Sequence, residues 1–239
     1  MSQRRPLSPA AYAAWTILMA LLLLLTVPYL LYVLGIVFMP KSISLWRQLG
    51  IYQWVAVGIV AYATVYQGLK RLNGSGFRNL LWFETFTHEF THTVVAILLL
   101  REVHSFHAEK SSGVISTSGR VDWLSPMVLL APYCLPIYTY GLLALRSLMD
   151  FHGLFIFDII VGMTLAFHVV NFWKDTGNHQ PDITQHPLLF SYLYIATSLC
   201  INFVIVWVAF FPGYNVFTSL WRLVCTQASY LLGVFQWLL

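Results

Sequence analysis

Charge is scarce in this chain: 9% of its 239 residues are Asp, Glu, Lys or Arg, against roughly 25% in ordinary soluble domains. That deficit excludes a free-standing water-soluble fold. It also excludes intrinsic disorder, which combines low hydrophobicity with high net charge, whereas the mean hydropathy here is +0.72 and the formal net charge +4. Gly/Ser linkers, shifts of composition and internal repeats with a period of about 20 to 50 residues are missing, so residues 1–239 read as a single domain. Cysteine is sparse as well. Cys134, Cys200 and Cys225 each lie in an apolar stretch without CxxC spacing, which is the pattern of inert buried thiols.

What the chain has is apolar length. Hydrophobic residues make up 59% and aromatics 16%, and about 20 consecutive apolar residues in helix cross a bilayer. The expected architecture is an all-α polytopic membrane protein with six spans near 12–38, 50–69, 79–100, 124–145, 154–173 and 188–211. The stretch 215–239, interrupted by Arg222 and Gly233, would be a seventh span or an interfacial helix. No charge occurs between Pro6 and Pro40; that run exceeds the core of about 7 to 15 residues in a secretory signal, so it reads as a retained first span. Unalternated runs such as 21–25 do not fit a transmembrane β-barrel. The pI near 9.0 arises from cations placed between apolar runs, among them Arg4, Arg5, Lys41, Arg47, Lys70, Arg71 and Arg78. These suit anionic lipid headgroups better than nucleic acid.

The third expected span is apolar yet contains Glu84, His88, Glu89 and His92. An ionisable side chain at the centre of a membrane helix costs about 2.5 to 3.5 kcal/mol, so these groups need a partner. His88, Glu89 and His92 form HExxH, which arises by chance in about 0.4% of chains with this composition. The spacing places both imidazoles on one face, one turn apart, where both reach one Zn²⁺, with Glu89 beside it as proton acceptor. A set of polar residues lining an ion path is the competing reading. Glu84, one turn before His88, is a candidate acceptor for an imidazole N–H or for a plain interhelical hydrogen bond. Catalytic zinc takes three protein ligands. The richest source of a third is the loop after the fifth span, with Asp175, His179, Asp182 and His186. Asp182, stiffened by Pro181 and followed by Ile183, is favoured, then Asp175, then His179; His168 reads as an interior histidine and Asp158 as an interhelical partner.

HEFTH in an apolar helix, followed by VHSFHA and SSGVIS, resembles the site-2-protease type of membrane-embedded zinc metallopeptidases, without a PDZ insertion. The resemblance covers mainly residues 84–120 and 178–182. It implies one zinc per chain bound by His88, His92 and a distant Asp carried onto Asp182, with Glu89 as catalytic base. The family's Asn-Pro-Pro-Leu-Asp-Gly pattern is reduced here to Asn178, Pro181 and Asp182 in NHQPDI. Asn178 is a candidate oxyanion donor.

Residues 103–108 and 114–117 are β-prone runs around a turn-favouring 109–113, so a short hairpin is expected after the HExxH helix. Its edge would pair with an unwound substrate. The expected partners are a membrane protein or peptide substrate and the lipid bilayer, and the expected location is a multi-pass position in the bacterial cytoplasmic membrane. Two other classes are carried alongside. One is a di-iron hydroxylase or desaturase, which needs more histidine boxes than one HxxxH and the loose pair His104/His107. The other is a transporter subunit or assembly factor using Glu84, His88 and His92 as a polar path.

Overall fold

Backbone in an apolar environment satisfies its N–H and C=O groups most directly within a helix, and the apolar stretches of this chain are helical. The computed structural model describes residues 7–38, 51–109, 113–117, 122–148, 154–177 and 179–209, with 225 and 229. Three long helices come first: α1 (Pro9–Phe38), α2 (Ile51–Leu72) and α3 (Ser75–Leu98). A hairpin of β1 (Val103–Ala108) and β2 (Gly113–Thr117) follows. Then come the short α4 (Ser125–Leu129), α5 (Ala131–Cys134) and α6 (Ile137–Ser147), and finally α7 (Leu154–Asp175), the single turn α8 (Pro181–Thr184) and α9 (Leu188–Ala209).

Five of the six expected spans coincide with helices to within a few residues. The sixth, 124–145, is broken into α4, α5 and α6. Pro126, Pro132 and Pro136 are the cause, since each lacks an N–H and its ring obstructs the preceding turn; Leu135 is extended, at φ −100° and ψ 109°. Among the described residues, the segments Pro9–Pro28, Phe155–Asp175 and Leu188–Val206 are long and apolar enough to cross a membrane. The expectation of six spans is corrected to these three. Gln, Tyr and Thr dilute α2, and the ionisable residues dilute α3. The stretch 215–239 lies outside the described residues apart from 225 and 229.

Two helix pairs frame the molecule. α1 packs on α9, and Met19, Tyr194 and Ile195 join Leu130, Tyr133 and Ile183 in one core cluster. α2 packs on α7, with Tyr62, Tyr66, Ala166 and Phe167 between them. Their crossing is built on glycine: a Cβ at Gly58 would run into the Ile159 carbonyl, and one at Gly162 into the Val55 carbonyl. Such close approach is how membrane helices gain packing without a hydrophobic drive. Interior polar groups add cross-links. Arg146 Nε donates to Asp158 Oδ1 at 2.9 Å, joining α6 to α7 as the sequence led us to expect for Asp158. The Thr139 and Thr164 hydroxyls meet at 3.0 Å, and the Tyr140 hydroxyl bonds Asn202. Of the cysteines, Cys134 is buried, Cys200 half-buried and Cys225 exposed, so the expected burial holds fully for Cys134 alone.

α3 ends abruptly. Arg101 N–H donates to Ala96 O and Leu100 N–H to Ile97 O, both at 2.9 Å, with Leu100 left-handed at φ 57°. This is the reversal usually given to glycine at a helix end, and it turns the chain back so that the hairpin packs against α3. The strands pair antiparallel from Val103 opposite Thr117 to Ala108 opposite Gly113, with an irregularity between Val103 and Ser105. β2 thus begins at Gly113, one residue earlier than expected.

Gly58→Ala and Gly162→Ala each push α2 and α7 apart. We expect a loss of about 1 to 3 kcal/mol for each, read as a lower midpoint of thermal unfolding in detergent. Unchanged midpoints for both would show that the crossing carries no packing energy.

Candidate metal centre

His88 and His92 stand one turn apart on α3, with ring centroids 4.9 Å apart and ring planes at 74°. Asp182 reaches them from α8. Pro181 opens that turn, where its missing N–H costs nothing. The neighbouring Ile183 is fully buried in the core cluster with Leu130 and Tyr133, and its carbonyl accepts from Ser191 Oγ at 2.9 Å. The turn is pinned from behind, so the carboxylate is held forward.

Asp182 Oδ2 lies 3.4 Å from His88 Nε2 and 3.3 Å from His92 Nε2, and one ligand atom from each of the three residues falls within 4.8 Å of the others. His92 Nδ1 donates to the Val128 carbonyl at 2.7 Å. A carbonyl only accepts, so a proton is on Nδ1, and whenever the ring is neutral Nε2 turns a lone pair toward a carboxylate oxygen. Two acceptors face each other. They repel unless a proton or a metal cation lies between them, and the distances favour the metal. Charge-assisted N–H···O bonds run at about 2.7 to 2.9 Å. Donors on a tetrahedron with zinc bond lengths of about 2.0 to 2.2 Å stand about 3.3 to 3.6 Å apart. Burial raises the Asp182 carboxyl, but His88 and His92 in their protonated forms outweigh it and hold the group well below the usual carboxylate range. The residues present therefore fit a zinc ion.

Tyr133 completes the surround. Its hydroxyl donates to Asp182 Oδ2 at 3.4 Å, and its ring stands edge-on to His88, at 5.4 Å and 83°. The proline-broken segment thus supports all three donors: Val128 orients His92, and Tyr133 touches His88 and Asp182. Sequence reasoning missed both. A tyrosine hydroxyl in an apolar run needs a partner, and that was the available signal for Tyr133. Nothing in a sequence marks one backbone carbonyl such as that of Val128.

Glu89 is 7% exposed and meets the first residue of β2, where a Cβ on Gly113 would run into its carboxylate. The hairpin therefore lies directly on this group, and only glycine allows it. Of the two partners open to Glu84, the structure gives the interhelical one. Glu84 accepts from Lys174, across α3 and α7, and not from a metal-site imidazole, because Lys174 reaches inward from the end of α7 and takes the carboxylate. The loop candidates separate as well. Asp175 and His179 stay outside the group formed by His88, His92 and Asp182. His186 is buried and bonds the Tyr12 hydroxyl at 2.8 Å, while His107 pairs with Glu109 at 3.0 Å on the exposed hairpin. Asn178, the candidate oxyanion donor, lies outside the described residues. No protein-family model, curated protein or solved structure matches the chain.

Asp182→Ala is expected to abolish stoichiometric zinc binding and Asp175→Ala to retain it. Tyr133→Phe is expected to raise the zinc dissociation constant about 10-fold, the scale of lost support behind a metal ligand. Competition with a chromophoric chelator reads all three; zinc retained by Asp182→Ala would remove that residue from the centre.

Proposed function

We propose that this chain is a membrane-embedded zinc metallopeptidase that hydrolyses peptide bonds of membrane or membrane-proximal substrates. The observation that carries the reading is the spacing of His88 Nε2, His92 Nε2 and Asp182 Oδ2, with mutual distances to the carboxylate of 3.4 and 3.3 Å, beside a buried Glu89. The three helices long enough to cross a bilayer support a membrane setting. The bacterial cytoplasmic membrane belongs to the proposal, as does the resemblance to site-2-protease type enzymes.

His88, His92 and Asp182 would hold the zinc, which when bound supplies a water of pKa about 7 and polarises the scissile carbonyl. Glu89 takes one proton from the attacking water and passes it to the leaving nitrogen, so that amide and water become carboxylic acid and amine, and the acid's proton then moves to the amine to leave carboxylate and ammonium. Its contact with Gly113 limits the orientations of the carboxylate, which aids such a transfer. The hairpin serves the substrate. A membrane helix ties up its own peptide groups, and pairing along a strand edge would hold a segment extended, with its carbonyl free for attack.

Metal analysis and cleavage of an extended model peptide in detergent test this together. We expect about one zinc per wild-type chain, loss of zinc in His88→Ala and His92→Ala, and zinc retained in Glu89→Gln with turnover down by about 10² to 10⁴. Unchanged turnover in Glu89→Gln would remove the proposed base. Iron in place of zinc would move the protein to the di-iron class, and ion flux without metal to the transport class.

A further inference from the structure

A partly open cavity of about 30 Å³ lies between α3, residues 132–139 and α7, and His88 lines it. Among its lining residues, Glu84 Oε1, Tyr138 Oη, His168 Nε2 and Asn171 Oδ1 are buried without a hydrogen-bond partner among the described residues. Protein interiors satisfy about nine in ten such atoms, so four orphans around one cavity point to an occupant. Glu84 is 3% exposed, and its other oxygen is held by Lys174. Oε1 is therefore an acceptor fixed at the cavity wall that lacks a donor.

We propose that this cavity is the specificity pocket of the peptidase, and that it takes a short side chain ending in a hydrogen-bond donor, of serine or threonine size, from a substrate residue next to the scissile bond. The inference rests on the hydrolase reading above. Size sets the first limit: the volume holds about two water-sized groups, enough for a hydroxymethyl and too little for lysine or an aromatic ring. Position sets the second. The cavity shares His88 with the metal centre, and successive residues of an extended peptide are about 3.8 Å apart, so a side chain near the attacked carbonyl is within reach of it. Chemistry sets the third. An apolar side chain would leave the four polar atoms unpaired, and sites built to bond a hydroxyl reject analogues that lack it.

The test uses the zinc-loaded Glu89→Gln protein in detergent micelles and a fluorescently labelled Leu/Ala peptide with one central Ser, Thr, Ala or Val. Anisotropy is expected to give Kd values for Ser and Thr at least 10-fold below Val and several-fold below Ala. His168→Leu with Asn171→Leu should erase that advantage with zinc content unchanged. Tyr138→Phe, which removes only the unpartnered hydroxyl, should reduce it and serves if the double variant does not fold. Equal Kd values for all four peptides, no binding of any, or a preference that survives these variants would overturn the proposal and leave water as the occupant. The two readings fail separately. Wild-type cleavage without regard to the central residue sinks the pocket and keeps the hydrolase; discriminating binding without cleavage by the wild type does the reverse.

Discussion

Two acceptors that face each other across a short gap inside an apolar bundle are the constraint on which this structure turns. The Val128 carbonyl fixes a proton on Nδ1 of His92, so that the neutral ring has a lone pair opposed to a carboxylate. In water such a conflict would relax by hydration. Here the imidazole is buried, and the turn that carries Asp182 is anchored by Ile183 in the core, so neither partner can withdraw cheaply. A proton or a metal cation between them resolves the conflict.

The interruption of the helix across 124–147 makes this possible. An unbroken helix would spend the Val128 carbonyl on its own backbone four residues on. With Pro132 in that place there is no N–H to take it, and the carbonyl is free to orient a histidine on a neighbouring helix. The same break lets Tyr133 turn its ring to His88 and its hydroxyl to Asp182. What reads as a defect in a long helix is the means by which His92 and Asp182 are oriented. Non-helical backbone is tolerated where protein surrounds it, and Leu130, Tyr133 and Cys134 are all buried.

Much of this was legible in the residues themselves. Long apolar runs marked α1, α7 and α9, and the one-turn spacing of His88 and His92 marked the centre, because both signals are local and periodic. Asp182 was legible from Pro181 before it and Ile183 after it, as a carboxylate on a stiff turn with an apolar anchor. Other features depended on contacts that no local pattern encodes. For Glu84 the sequence left an imidazole and another helix equally open as partner, and Lys174, 90 positions later, takes its carboxylate. The segment 124–145 looked like a span because composition averages over its prolines, whereas each proline acts on one hydrogen bond at one position.

The glycine crossing of α2 and α7 has a mechanical meaning for the chemistry at the far end. From Gly162 to Asp175 is about 20 Å at 1.5 Å per residue, and the loop leaving that end carries Asp182. α7 is therefore a lever with its fulcrum at two bare backbones, and a tilt of about 3° there displaces the tip by about 1 Å. Coordination tolerates errors of only about 0.2 Å. Were a metal held by His88, His92 and Asp182, a tilt of α7 about that fulcrum would strain the short stretch between Asp175 and the turn that Ile183 anchors.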